Sequence, residues 1–372
     1  MNFQLCSMFD FLKSAPKSYL GIDIGTSSIK IVQLGIEENR AKLETYGFLE
    51  TYGAIELLRD TIQTSSVRLL DAQVVDLLKK LLEKSKVTTR NAVISIPVFS
   101  TFSALMELPD MPYKEIEAAI PYEARQYIPV PISEVILGWN IIGKKTREAP
   151  DDPTAAPAIS KIEVLLIATP REVANKYANI TRMLGLNLKA IEAESFALGR
   201  SLVGDDNVPT VIVDIGSRVT NILLVENGYV MINKGLDTSG NELTKILSHA
   251  LNVDFRRAEM LKREKGLLQR DDSERSINKV ILPVIDIIIN EVKRVGDFYI
   301  RHRGKKVERI ILCGGSAHLP GLSDYFSASF NNLSVVVGNP WRKVIYPSSI
   351  EPILNDLAPS FSVAVGLAMR EL

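Results

Sequence analysis

The stretch LGIDIGTSSIKIVQL, which starts at Leu20, returns in pattern as VIVDIGSRVTNILLV at Val211. Each copy reads as an apolar strand, Asp-Ile-Gly, a small polar turn and a second apolar strand, which is the pattern of a hairpin. A repeat spaced this widely implies two similar lobes, each opening with the same hairpin. The length agrees, because 372 residues are too many for one ordinary hydrophobic core.

The residue types in the two turns suit one chemistry. Gly25 and Gly216 let the backbone bend without a Cβ, so successive N–H groups can point at one anion. Thr26, Ser27, Ser28 and Ser217 add hydroxyl donors, and Lys30 adds a point charge for phosphate. Asp23 and Asp214 stand at the strand ends just before each turn. Two carboxylates facing each other across a cleft suit a hydrated Mg²⁺, which keeps most of its waters. A single Asp-Gly bend would be an ordinary hairpin; the matched pair is what points to phosphate. A third element, LCGGSAHLPGL at Leu312–Leu322, runs a strand into Gly314-Gly315-Ser316 and then a helix after Pro320. Two glycines at a strand end permit close approach to a base or ribose.

Other classes drop out. Lys plus Arg and Asp plus Glu are equal at 44 each, so no global charge drives nucleic-acid binding. Cys6 and Cys313 stand far apart, which excludes a disulfide scaffold or a cysteine zinc cluster and fits a reducing setting. His249, His302 and His318 lack metal-ligand spacing. No apolar run reaches the ~18–20 residues of a membrane-spanning helix. The amino-terminal segment clusters Phe3, Leu5, Met8, Phe9, Phe11 and Leu12, and reads as a short helix packing on its own domain or as a membrane-surface or partner-docking segment.

Along the chain, a third strand is expected at 41–48, a helix at 72–85 and a buried strand at 91–97. Residues 98–170 read as a separate module: a strand at 101–108, a helix at 114–127 and a strand pair at 135–142 and 162–168. The charged, proline-rich stretch between that pair reads as a flexible tip. A helix over 169–184, a strand near 188–192 and a helix over 193–202 close the first half. Helices over 240–251, 256–265 and 277–300 follow the second hairpin, with RDDSERS as a solvated loop. A strand at 310–312 and a small-residue helix at 358–370 end the chain. Pro283 is expected in the first two turns of its helix.

With its motifs in the order DIGTSSIK, DIGSRVTN and LCGGSAHLPG, the chain resembles the actin, Hsp70 and sugar-kinase superfamily. Within it, FLKSAPKSYLGIDIGTSSIKIVQL, IEAAIPYEARQYIPVPISEV and INEVKRVGDFY resemble the PilM family of actin-like type IV pilus assembly proteins. The middle segment matches the inserted subdomain that this family shares with the cell-division protein FtsA. The resemblance implies an α/β, actin-like (RNase H-like) two-lobed ATPase fold with an FtsA-type inserted subdomain. Lobe 1 would span 1–204 with the insertion at about 98–170. Lobe 2 would span 205–344, with a nucleotide-covering subdomain at about 236–309, and 345–372 would return to lobe 1.

It further implies ATP and Mg²⁺ as ligands. Asp23, Gly25, Thr26, Ser27, Ser28 and Lys30 match the first phosphate loop. Asp214, Gly216, Ser217, Arg218 and Thr220 match the second, and Gly314, Gly315 and Ser316 the adenosine loop. Arg218 replaces a small residue of many relatives, and adds charge to phosphate or crowds it. Gly240 matches a glycine near the nucleotide. Glu259 and Lys262 match a pair that brackets adenine and ribose, and equally suit a surface i, i+3 ion pair. Asp23 and Asp214 would hold the metal through water. The residue that orients an attacking water falls on Glu194, with Glu192 as competitor.

The function implied is an ATP-binding assembly protein, at most a slow ATPase, at the inner face of the cytoplasmic membrane. Its partner would be the cytoplasmic amino-terminal peptide of a PilN-like membrane protein, docked on the inserted module. FtsA-like chains carry a carboxy-terminal membrane helix that the tail SVAVGLAMREL does not show, so membrane contact is expected through the partner. An FtsA-like filament former is the alternative. A small-molecule kinase is disfavoured, because such enzymes need a catalytic base and Asp110, in LPDMP, reads as a turn residue.

Overall fold

The computed structural model describes residues 18–51, 67–146, 160–268, 272–330 and 333–372. The amino-terminal apolar segment and the tip of the proline-rich hairpin lie outside the described residues.

The first hairpin forms where the pattern places it. β1 (Tyr19–Ile24) and β2 (Ser28–Glu37) pair antiparallel, with Leu20, Ile22, Ile31 and Val32 fully buried. β3 (Arg40–Glu50), α1 (Val67–Lys84) and β4 (Asn91–Ile96) follow. From β4 the chain leaves into a module of β5 (Phe102–Pro109), α2 (Tyr113–Glu123), β6 (Val135–Thr146) and β7 (Ser160–Pro170). The module is a three-stranded sheet, β5-β7-β6, with its own core of Met106, Ile116, Ile120, Val164 and Leu166. The chain returns through α3 (Arg171–Met183), β8 (Asn187–Ala193) and α4 (Glu194–Leu202).

The second half repeats the opening. β9 (Thr210–Ile215) and β10 (Thr220–Glu226) form the hairpin, and β11 (Tyr229–Leu236) extends it. β10 is buried along its whole length, as a strand covered on both faces must be. α5 (Gly240–Leu251), α6 (Phe255–Lys265) and α7 (Asp272–Arg303) come next, then β12 (Arg309–Cys313) and α8 (Leu322–Ser329). β13 (Ser334–Val337), β14 (Val344–Ile345) and α9 (Glu351–Ala368) end the chain. Two larger sheets result, β14-β3-β2-β1-β4-β8 and β11-β10-β9-β12-β13.

α9 is where the chain packs most tightly. A Cβ on Gly366 would lie 2.0 Å from the Ala197 carbonyl of α4, and one on Gly21 would lie 2.1 Å from the Ala364 carbonyl. Glycine lets α9 touch the backbone of α4 at Gly366 and the backbone of β1 at Gly21.

Several expectations shift. α7 starts at Asp272, so most of RDDSERS is helical rather than loop. The apolar stripe beyond anchors that helix and lets it extend through the charged stretch. Pro283 therefore stands deeper in the helix than its first two turns. α9 begins before Pro359, with Pro352 in its first turn. β11, β13 and β14 were not anticipated.

Candidate functional site

The two hairpin turns are built alike. Gly25 N–H donates to the Ser28 carbonyl at 3.0 Å, and Gly216 N–H to the Val219 carbonyl at 3.1 Å. A Cβ on either glycine would meet that same carbonyl, at 3.0 and 2.8 Å. Glycine is needed for close approach within the turn; neither has a positive φ. In both hairpins the aspartate faces, across the strand pair, the seventh residue after it: Lys30 opposite Asp23 and Asn221 opposite Asp214.

Both turns line one cavity of about 440 Å³, within the range of small-ligand sites. It also takes in Glu194, Gly240, Glu259, Lys262, Gly314, Gly315 and Ser316. The structure thus brings together nearly every residue that the motifs nominated. Thr220 is the exception: it is fully buried in β10 and does not line the cavity, so its place is in the strand behind the turn.

The third loop is docked against the second turn. Ser316 N–H donates to the Ile215 carbonyl at 3.2 Å, and Gly314 N–H to the Pro359 carbonyl of α9 at 3.0 Å. Gly314 has φ +85, and a Cβ there would lie 2.3 Å from Asp214 Oδ1. Gly240 N–H donates to the Gly216 carbonyl at 2.9 Å, which ties the start of α5 to the second turn. Lys262 Nζ, 2.7 Å from Glu259 Oε2, also donates to the Gly240 carbonyl at 2.9 Å and Thr244 Oγ1 at 2.8 Å. With Lys262 only 4% exposed, this pair is a buried brace and not the surface ion pair that its spacing equally suited. Burial holds the Lys262 ammonium below its usual range; burial pushes Glu259 up, but Lys262 outweighs it and the carboxyl sits low.

The acidic residues are unequally supported. Asp23 accepts from Ser95 Oγ at 3.1 Å and faces Lys30 Nζ at 3.5 Å. Asp214 is held up to about 6, first by burial and then by the charge of Asp23, against the pull of Lys30 and a bond from the Cys313 thiol. Glu194 is driven well above the carboxylate range by burial, then by Asp23 and Asp214. Its Oε2 accepts from Val98 N–H at 3.3 Å. Glu192, the competitor, is taken up by Arg200 at 2.6 Å and Arg370 at 3.4 Å and does not line the cavity. Arg218 turns away from the turn and lays its guanidinium over the Phe99 ring, 4.4 Å from the centroid.

Four contributors escaped the motif reading: Asn221, Ser95, Cys313 and Phe99. Asn221 is 2% exposed and lines the cavity, yet neither atom of its amide has a partner. Its signal was present, since it holds in the second copy the place of Lys30 in the first. A buried amide lacking partners, beside a carboxylate short of counter-charge and two backbone turns free of Cβ atoms, fits a hydrated cation with an anion. Among the described residues no cluster of three or more His, Cys, Asp or Glu could hold a metal alone, so most ligands of such a cation would be water and ligand oxygens.

Two hairpin-opened sheets facing across one cleft define an actin-like protein. The solved structure of a PilM–PilN type IV pilus biogenesis complex superposes with a TM-score of 0.77, at 24% identity over 95% of this chain and 98% of that one. MreB5 of Spiroplasma citri bound to AMPPNP superposes at 0.50, with 13% identity and 95% of each chain covered. The family model for type IV pilus assembly protein PilM matches residues 21–372, and the chain belongs to that family. Among curated relatives, the cell-division protein FtsA of Bacillus subtilis is 22% identical over 82% of this chain and 74% of its own length. FtsA of Helicobacter pylori is 25% identical over 52% of this chain, and the match spans 45% of that relative. Among the described residues no helix is long and apolar enough to cross a membrane.

Proposed function

We propose that this chain is an ATP-binding assembly protein of the type IV pilus inner-membrane platform, working at the cytoplasmic face of the membrane. The observation that carries it is the meeting of the two repeated turns on one cavity, with Asp23 and Asp214 close enough for one to raise the other. The turns at Gly25 and Gly216 would hold the phosphates, with Lys30 as point charge. Gly314–Ser316 and the Glu259–Lys262 brace would bound the adenosine. Mg²⁺ would supply positive charge against the β- and γ-phosphate oxygens, held through water by Asp23 and Asp214. The AMPPNP carried by the MreB5 relative supports a nucleotide here.

Glu194 is the residue for orienting an attacking water. Burial and then the two aspartates push its carboxyl well above the usual range, and bound cations that offset the field of those aspartates would favour the carboxylate that such a role needs. The partner we assign is the cytoplasmic amino-terminal peptide of a PilN-like membrane protein, seated on the module of β5, α2, β6 and β7. The complex in which the PilM relative was solved supports that partner. Membrane contact would then run through the partner. The FtsA matches favour one second reading, a filament-forming scaffold, which ATP-dependent sedimentation would reveal.

The test is calorimetric titration of ATP with and without Mg²⁺. Asp23→Ala and Asp214→Ala should each weaken Mg-dependent binding by about 100-fold or more, ~2.7 kcal/mol. Wild-type affinity in both variants would end the reading.

A further inference from the structure

β3 is an edge strand for most of its length. β14 pairs only with its Ala41 and Lys42, so among the described residues the outer edge from Leu43 to Glu50 has no strand beside it. That edge lies against α1. At Gly47 a Cβ would lie 2.2 Å from Oγ of Ser85, just past α1, and 2.9 Å from Leu81 of α1, and Thr45 Oγ1 donates to the Ser85 carbonyl at 2.6 Å. Between strand and helix runs a groove of about 510 Å³. Leu49, Leu77 and Leu81 give it an apolar floor, and Lys80, Lys84 and Lys86 rim it.

Among the described residues no carboxylate lines this groove. The acids of β3 are engaged elsewhere: Glu44 with Gln33 and Ser18, Glu50 with Arg263. Among the described residues none of the three lysines has an anionic partner. Lys80 and Lys84 are also an i, i+4 pair of like charge, a repulsion that a bound anion would offset. An open strand edge beside a helix, with an apolar floor and a cationic rim, is the receptor geometry of strand addition.

We propose that the groove between β3 and α1 docks an extended acidic segment of a protein partner as an added strand. Main-chain bonds to the β3 edge would give affinity, apolar side chains on one face would fill the floor, and carboxylates on the other would meet the lysines. The groove lies across the sheet from β4, out of which the module grows, so it is a second surface and does not depend on the partner assigned above. A bilayer is disfavoured, because a flat surface does not reach a recessed floor between strand and helix.

The probe is a fluorescein-labelled peptide of alternating valine and glutamate, titrated into the full chain and followed by anisotropy. Saturable binding should weaken with salt and fall about tenfold or more in Lys80→Glu/Lys84→Glu/Lys86→Glu. Peptide should also slow amide hydrogen exchange across Tyr46–Leu49. Should the charge reversal disturb folding, Lys80→Gln/Lys84→Gln should give a smaller loss in the same direction. Unchanged affinity in a folded variant, absence of peptide binding, or protection at the β6 edge instead would overturn the proposal. So would either of two other results of the same reversal: loss of binding to phosphatidylserine vesicles without strand protection, or loss of self-association without peptide.

Discussion

The two hairpins close their turns with the same backbone hydrogen bond from a glycine and differ in what stands beside each aspartate. Asp23 has an ammonium opposite it in Lys30 and a hydroxyl beside it in Ser95. Asp214 has a neutral, unpartnered amide opposite it in Asn221 and only the thiol of Cys313 beside it. The neighbours occupy equivalent places: Ser95 is on β4, paired parallel with β1, and Cys313 on β12, paired parallel with β9. One lobe therefore carries its own counter-charge, and the other is short of one. Burial first, and then the charge of Asp23, raise the Asp214 carboxyl, and no cation of its own lobe offsets them, which is the condition under which a bound cation gains most.

Swapping the residues opposite the aspartates tests this asymmetry hardest. Lys30→Asn should weaken ATP binding by about 10–100-fold, since a buried charge-assisted contact to phosphate is worth ~1.5–3 kcal/mol. Calorimetry on that variant sharpens the comparison. An effect no larger than that of Asn221→Ala would break it.

Removing charge from the aspartates should then move stability in opposite directions. Asp214→Asn should raise the melting temperature of the nucleotide-free chain by several degrees, and Asp23→Asn should lower it, because Lys30 loses its partner. The sign for Asp214 follows from linkage. Its carboxyl sits at about 6 when folded against an ordinary aspartate value of 3.8, so the folded state holds the extra proton between those values. Its contribution to stability is present at low pH, declines as pH rises from about 4 to about 6, and stays lost above. Melting curves at pH 5 and pH 7 should show that decline in the wild type, and saturating Mg-nucleotide or Asp214→Asn should remove it. Cation affinity should rise over the same interval.

Arg218 should have the smallest effect. It is exposed and stacked on Phe99 across the cleft, so Arg218→Ala should change ATP affinity less than about fivefold, in line with an exposed cation–π contact of ~0.5–1 kcal/mol. A larger loss would mean that the side chain leaves the ring for phosphate.

Much of this was legible from residues alone. Repeats with fixed chemistry at their bends placed both hairpins, and long apolar periodicity placed α1, α3 and most of α7. What escaped was short or weakly patterned. β14 has two residues and β13 four, too few for any period to show. β11 had a signal that went unused: Asn227-Gly228 is the dipeptide of a tight hairpin, and both residues have positive φ. Its polar end, Asn233-Lys234-Gly235, hid the strand. At the site, Glu194 was nominated from motif position, but only tertiary structure separated it from Glu192, which two arginines claim. Asn221 was invisible to any search for charged or hydroxyl side chains, because its importance lies in lacking partners, a property of the fold.

The module that branches from the first lobe is also fastened to the second. Glu163 on β7, 1% exposed, pairs with Arg303 at the end of α7, and Gly143 is the residue whose missing side chain leaves room for that guanidinium. Ser103 of β5 reaches the Asn233 carbonyl of β11 at 2.9 Å. The module thus links the two lobes like a strap sewn at one end and buckled at the other. Whatever tugs on the module from outside must either drag the far lobe along or undo the buckle, and undoing a buried ion pair costs ~3–5 kcal/mol. A pull on the module would therefore be passed to the second lobe.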